Sequence, residues 1–103
     1  MATAYAEALI RRKDDARARQ MLLANLGDVE KAGMKPEAAT IYYLLGLAAK
    51  SHGDMDEAAS YSKQAVKAVD AIRAEPGGDK VLQRADMAAL YKNSTQALSA
   101  ANR

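Results

Sequence analysis

The chain contains no cysteine, no phenylalanine, no tryptophan and a single histidine. Without thiols, disulfide frameworks, thiolate nucleophiles, zinc knuckles and iron–sulfur clusters are excluded, and one imidazole cannot assemble a His-rich metal site. Only ten of the 103 residues are β-branched, while Ala, Leu, Lys, Arg, Glu, Gln and Met dominate; so small a supply of strand formers nearly excludes an all-β fold. An excess of one charge is also lacking. With 15 basic and 13 acidic residues the net charge is +2, too balanced for bulk electrostatics to predict nucleic-acid binding. No apolar run approaches the roughly 18 residues that a membrane-spanning helix needs. The N-terminal apolar stretch precedes Arg11, Arg12 and Lys13, which reverses the order of a signal peptide, so the expectation is a soluble, cytoplasmic protein with no membrane partner.

What the chain does have is alanine: 24 residues, against five aromatics that are all tyrosine. A core made from such residues must be closed by near approach of backbones rather than by large side chains, and the length suits one domain. Helix punctuation divides the chain into about five segments. Ala2 to about Arg11 reads as a short helix, and Lys13-Asp14-Asp15 joins it to a second helix carrying Ala18, Leu22, Leu26 and Val29 at helical spacing. Gly27-Asp28 reads either as an interruption inside that helix or as a stop followed by a new cap. Gly33-Met34-Lys35-Pro36 is a firmer boundary, since Gly suits the residue after a helix and Pro the first turn of the next.

The third helix, about Glu37 to Ser51, sets Ala38, Ile41, Tyr42 and Leu45 along one face, and Tyr43, Leu44 and Leu47 form a second apolar face. It is therefore expected either to be central in the fold or to lend that face to a partner. A tight turn at Ser51-His52-Gly53-Asp54, with Asp54 or Asp56 as cap, opens a fourth helix that runs to about Ala74. Glu75-Pro76-Gly77-Gly78-Asp79 then breaks the chain before a last helix from about Lys80 to Ala101, with Asn93-Ser94 as a candidate division. Met87, Leu90, Tyr91, Ser94 and Leu98 give that helix an apolar face, and Gln83, Lys92, Asn93, Gln96 and Arg103, the last of these outside the residues the structure describes, read as polar surface, as an end cap requires.

Little of this carries reactive chemistry. Asp54, Asp56 and Glu57 cluster, but a calcium loop needs further ligands and a glycine where Ala58-Ala59 stand, so helix capping is the expected role. His52 has no nucleophile motif around it and reads as a solvated turn residue. Pro76-Gly77-Gly78-Asp79-Lys80 lacks the spacing and the preceding strand of a phosphate loop. Arg11, Arg12, Lys13, Arg17 and Arg19 are spread over several helix faces and interrupted by Asp14 and Asp15, which predicts a solvated surface rather than a nucleic-acid stripe and leaves an acidic partner segment open. No catalytic, metal or cofactor-binding residue is expected, and the chain is read as a non-enzyme.

The most informative pattern is internal. Sliding the sequence by 42 residues pairs Asp14-Asp15-Ala16 with Asp56-Glu57-Ala58, Leu45-Gly46 with Met87-Ala88, Ala49-Lys50 with Tyr91-Lys92, and Pro36-Glu37 with Gly78-Asp79. Each unit is a helical hairpin. The central unit, Tyr42-x-x-Leu45-Gly46-x-x-Ala49 followed by Gly53-Asp54, Asp56-Glu57-Ala58 and Ala65, resembles the tetratricopeptide repeat, and the spacing to the third unit is similar to the longer repeats of the kinesin light chain type. The resemblance implies that Gly46 and Ala58 are small where the helices of the central hairpin cross, that Ala65 admits the next hairpin, and that Tyr42 and Leu45 fill the space between. The likeness is good over Thr40 to Asp70, moderate over Asp79 to Asn93 and weak over the first 35 residues. Ala49 stands for the usual Tyr, Ser62 for an expected aromatic with Tyr61 one place early, Asp70 for the closing Pro, and Arg84 where the central unit has Tyr42.

The resemblance implies an all-α fold of antiparallel helical hairpins stacked as a short right-handed superhelix. It divides one domain, residues 1–103, into a degenerate first hairpin (1–35), a best-matching repeat (36–75) and a third-repeat first helix or capping helix (79–103). It further implies a protein-interaction module that binds a partner peptide or helix in a concave groove lined by Thr40, Tyr43, Leu44, Leu47 and Lys50. The Lys and Asn pattern by which some family members clamp a terminal carboxylate is absent, since Tyr43 and Leu47 occupy the places where it would begin. The other reading of these residues is that Tyr43, Leu44 and Leu47 are covered by the N-terminal helices or by a second copy of the chain, which would make this a homo-oligomerisation module with no separate ligand.

Overall fold

A computed structural model describes the backbone of residues 2–101 and the side chains of residues 5–85 and 87–99. Six α-helices follow one another: α1 (Ala2–Arg11), α2 (Asp15–Lys31), α3 (Lys35–His52), α4 (Met55–Arg73), α5 (Gly78–Leu82) and α6 (Ala85–Ala101). There are no strands among the described residues, and the fold is all-α.

The first three connections are one turn used three times. At each, the backbone enters the left-handed region, at Lys13 (φ 65°), Gly33 (φ 70°) and Gly53 (φ 90°). The next amide then reaches five residues back: Asp14 N–H donates to the Leu9 carbonyl at 2.8 Å, Met34 to Val29 at 3.1 Å and Asp54 to Ala49 at 2.9 Å. This closes orphan carbonyls of the preceding helix and joins consecutive helices through three residues at the first two turns and two at the third. Glycine takes the conformation freely at two of the turns; Lys13 takes it against the clash of its own Cβ with the backbone. On the far side Asp54 caps α4, its Oδ1 accepting from the Glu57 amide at 3.0 Å, and Pro36 stands in the first turn of α3.

Two expected breaks are absent. Helix α2 runs through Gly27, where a Cβ would meet open space, and α6 runs through Asn93-Ser94. The break falls instead at Gln83-Arg84, so the expected last helix is two. The reason is the shared core: Val81 and Leu82 of α5 and Met87 and Leu90 of α6 all pack on the cluster around Val69 of α4, which one straight helix could not bring about. Helix α5 is held close to α4, since a Cβ at Gly78 would lie 1.9 Å from the Ile72 carbonyl oxygen.

Helix α3 touches α1, α2, α4 and α6. It divides two cores. One joins Leu22 and Val29 of α2 to Ile41, Leu44 and Leu45 of α3 with Ala6 of α1; the other joins Ala39 of α3 to Ala65 and Val69 of α4 and to Met87 and Leu90 of α6. Tyr42 and Tyr43, half-buried, pack against both. The α3–α4 crossing falls at Gly46, whose missing Cβ would stand 3.4 Å from Ser62 Oγ and 3.5 Å from the Ala58 carbonyl oxygen. The molecule measures 38 × 34 × 21 Å, about two helix diameters in its thinnest direction. No helix among the described residues is long and apolar enough to cross a membrane.

Lys13→Gly should raise stability by about 0.5–1 kcal/mol, because it relieves the left-handed strain while adding less unfolded-state entropy than that strain is worth. A thermal melt higher by a few degrees is the expected reading. Gly78→Ala should lower the melt by the equivalent of about 1–3 kcal/mol, since backbone must move to admit the methyl group, and Gly46→Leu should do the same at the helix crossing. Gly46→Ala meets ordinary van der Waals spacing and should be nearly neutral in the same assay.

Candidate functional site

The small residues that let α3 and α4 cross closely also leave space beside the crossing. Gly46 of α3 with Ala58, Ala59 and Ser62 of α4 form the floor of a groove of about 580 Å³, walled by Tyr43 and Leu47 on one side and by Ala97 of α6 on the other. An aromatic at position 62, as the repeat pattern expects, would have stood in this space. Tyr43 and Lys50 are seven residues apart on α3, hence about 10 Å along its axis. At the Tyr43 end the groove is spanned by a hydrogen bond from Asn93 Nδ2 to Tyr43 Oη at 3.1 Å; at the other end stand Lys50, Met55 and Asp56.

Of the five residues expected to line a concave site, the structure brings three to this groove: Tyr43, Leu47 and Lys50. Leu44 is 3% exposed and belongs to the core shared with α1 and α2. Thr40 turns its hydroxyl onto its own helix, donating to the Pro36 carbonyl at 3.0 Å. The second apolar face of α3 is thus divided, Leu44 covered by the chain itself and Tyr43 and Leu47 half-covered. Asn93, Gln96 and Ala97 of α6 line the groove as well, although Asn93 and Gln96 read from the sequence as plain polar surface. The available signal was their i, i+3, i+4 spacing on a helix that repeats the role of α3.

Two hydroxyl groups are set in apolar surroundings. Ser62 is 7% exposed on the groove floor, and Ser94 Oγ is buried in α6 with no hydrogen-bond partner among the described residues. Across the molecule, on the α2 side, Asp15, Arg19, His52 and Glu57 surround a separate cavity of about 360 Å³. It is occupied at its edge by an ion pair, Arg19 Nε to Glu57 Oε1 at 2.8 Å, and that hydrogen bond raises the Arg19 guanidinium above its ordinary value, with the Glu57 charge acting in the same direction. No three His, Asp or Glu side chains among the described residues come together to hold a metal ion. His52 is exposed in its turn, and Arg17 reaches Asp14 at 3.7 Å. The basic N-terminal residues therefore form solvated surface and ion pairs.

Tyr42, which packs on both cores, donates its hydroxyl to Glu30 Oε1 at 3.2 Å. Burial of the ring raises its pKa above the ordinary tyrosine value, and the Glu30 charge adds to this. A phenol whose folded-state pKa is raised holds its proton longer folded than unfolded. The stability this carries is present below about pH 10, where unfolded tyrosine ionises, and is lost as pH rises through the folded value. Urea melts between pH 9 and 11 should show wild-type stability falling with pH more steeply than that of Tyr42→Phe; equal slopes would contradict the assignment.

No family model, curated protein or solved structure matches this chain.

Proposed function

We propose that the chain is a non-catalytic protein-interaction module of tetratricopeptide type, cytoplasmic, whose hairpins stack as a short right-handed superhelix, and whose groove between α3, α4 and α6 receives an apolar side chain from a protein or peptide partner. The observation that carries this reading is the groove itself, in which Tyr43, Leu47 and Lys50 converge on a floor of small residues. Small floor residues let a visiting side chain approach the α3 and α4 backbones, and an apolar concavity with a few polar groups at its edges is what side-chain anchors dock into. The span of about two helical turns suits one anchor and its neighbours. The bond between Tyr43 and Asn93 blocks one end, which favours a segment inserting from the Lys50 end over a helix lying through the groove.

Because Tyr43 and Leu47 also pack on the cores, truncating both to alanine would destabilise the fold by several kcal/mol and confound loss of binding with loss of structure. Filling the groove is the cleaner test. Ala59 is only half-buried and lines the groove, so Ala59→Phe should preserve helicity and the melting temperature to within a few degrees. Peptides selected on the wild-type chain from a random display library should carry an apolar anchor, shift the amide resonances of Leu47, Lys50 and Ala97, and bind Ala59→Phe at least about tenfold more weakly. Selected peptides that shift other surfaces, or that bind the filled variant equally well, would overturn the reading.

A further inference from the structure

The rim of the groove carries one charge of each sign beside a large exposed apolar side chain. Lys50 stands in the last turn of α3 and Asp56 in the first turn of α4; both line the groove, and neither has an ion-pair partner among the described residues. Between them in the sequence is Met55, 57% exposed, the most exposed large hydrophobic side chain of the described residues. Helix dipoles account for the sign of each charge at its own helix end. They do not account for an apolar side chain left in water at the open end of an apolar groove.

We propose that the occupant of the groove is a second copy of this chain, docked about a two-fold axis so that Met55 of each copy enters the groove of the other. The inference rests on the groove being a docking site and adds the identity of the partner. In an isologous contact, residue i meets j while j meets i. A rim of one sign would repel its own image. A rim with Lys50 and Asp56 pairs with itself twice, each lysine meeting the aspartate of the opposite copy, when the axis lies in the interface plane and crosses the line between them. Methionine suits the insertion, being unbranched and flexible enough to fill an irregular space floored by Gly46, Ala58 and Ala59. A contact of one methionine from each copy and two ion pairs in all is slight beside the roughly 800 Å² on each side of a stable dimer, so association is expected to be weak and reversible and to leave the groove open at low concentration.

Sedimentation velocity on the full chain at low salt, from micromolar to millimolar, tests this with five variants. Wild type should rise from 11.0 kDa toward twice that mass. Lys50→Glu and Asp56→Lys should each weaken association about tenfold or more, since each turns two attractions into repulsions. The double variant Lys50→Glu/Asp56→Lys should recover to within about threefold of wild type, a reciprocity expected of self-pairing. Met55→Ser should remain monomeric with an unchanged circular dichroism spectrum, as should the groove-filled Ala59→Phe. A wild-type chain that stays monomeric, yet binds display-selected peptides in the groove, overturns self-docking alone. A dimer indifferent to the single charge reversals, or a double variant that fails to recover, also overturns it. A dimer that persists in Ala59→Phe, with peptides that bind that variant as well as wild type, overturns both the self-docking and the groove.

Discussion

The structure depends on how closely α3 and α4 cross at Gly46. A chain with 24 alanines and no phenylalanine or tryptophan cannot hold helices apart on large side chains and still fill the space between them, so its helices must meet nearly backbone to backbone. Gly46, Ala58 and Ser62 make that contact, and α3 becomes the wall of two cores at once. Everything downstream follows from this position. With its faces shared among four helices, α3 fixes where α1 and α2 pack on one side and where α4 and α6 pack on the other.

The groove is a by-product of the same constraint. Small residues that allow the crossing do not refill the surface next to it, and Ser62, where a bulky ring would have closed the gap, leaves it open. The second apolar face of α3 is consequently split in its fate. Leu44 lies toward α1 and α2 and is sealed; Tyr43 packs on both cores and Leu47 on the first, but each turns part of its side chain to the groove beside α6 and remains half-buried. Fold and candidate site are therefore consequences of one economy of side-chain volume, with Tyr43 serving in both as core residue and groove wall.

How much of this could be read beforehand varies with the kind of signal. Gly33 and Gly53 mark their turns because glycine is the usual occupant of a left-handed helix end. Lys13 makes the same turn without glycine; the charged run Lys13-Asp14-Asp15 marks the join, but nothing in it marks the left-handed residue. The two apolar faces of α3 and the small pair Gly46 and Ala58 were visible in helical periodicity, which depends on local geometry alone. The bend at Gln83-Arg84 was not, because no glycine or proline makes it; it exists because α5 and α6 reach one core from different directions. Likewise Thr40 and Leu44 fell on the right helix face for a groove, but which part of a face is covered is decided by neighbours distant in sequence. Met55, Asn93 and Gln96 enter the site for the same reason.

The central claim is that an open apolar groove lies beside the α3–α4 crossing. Methyl NOE spectra of the chain at low concentration test it most directly. The methyl groups of Ala59 and Ala97 should show contacts to water, and none to residues of α1 or α2. Cross-peaks from those two methyls to the N-terminal helices, or to each other at van der Waals distance with no water contact, would mean that the groove is closed and would contradict the account.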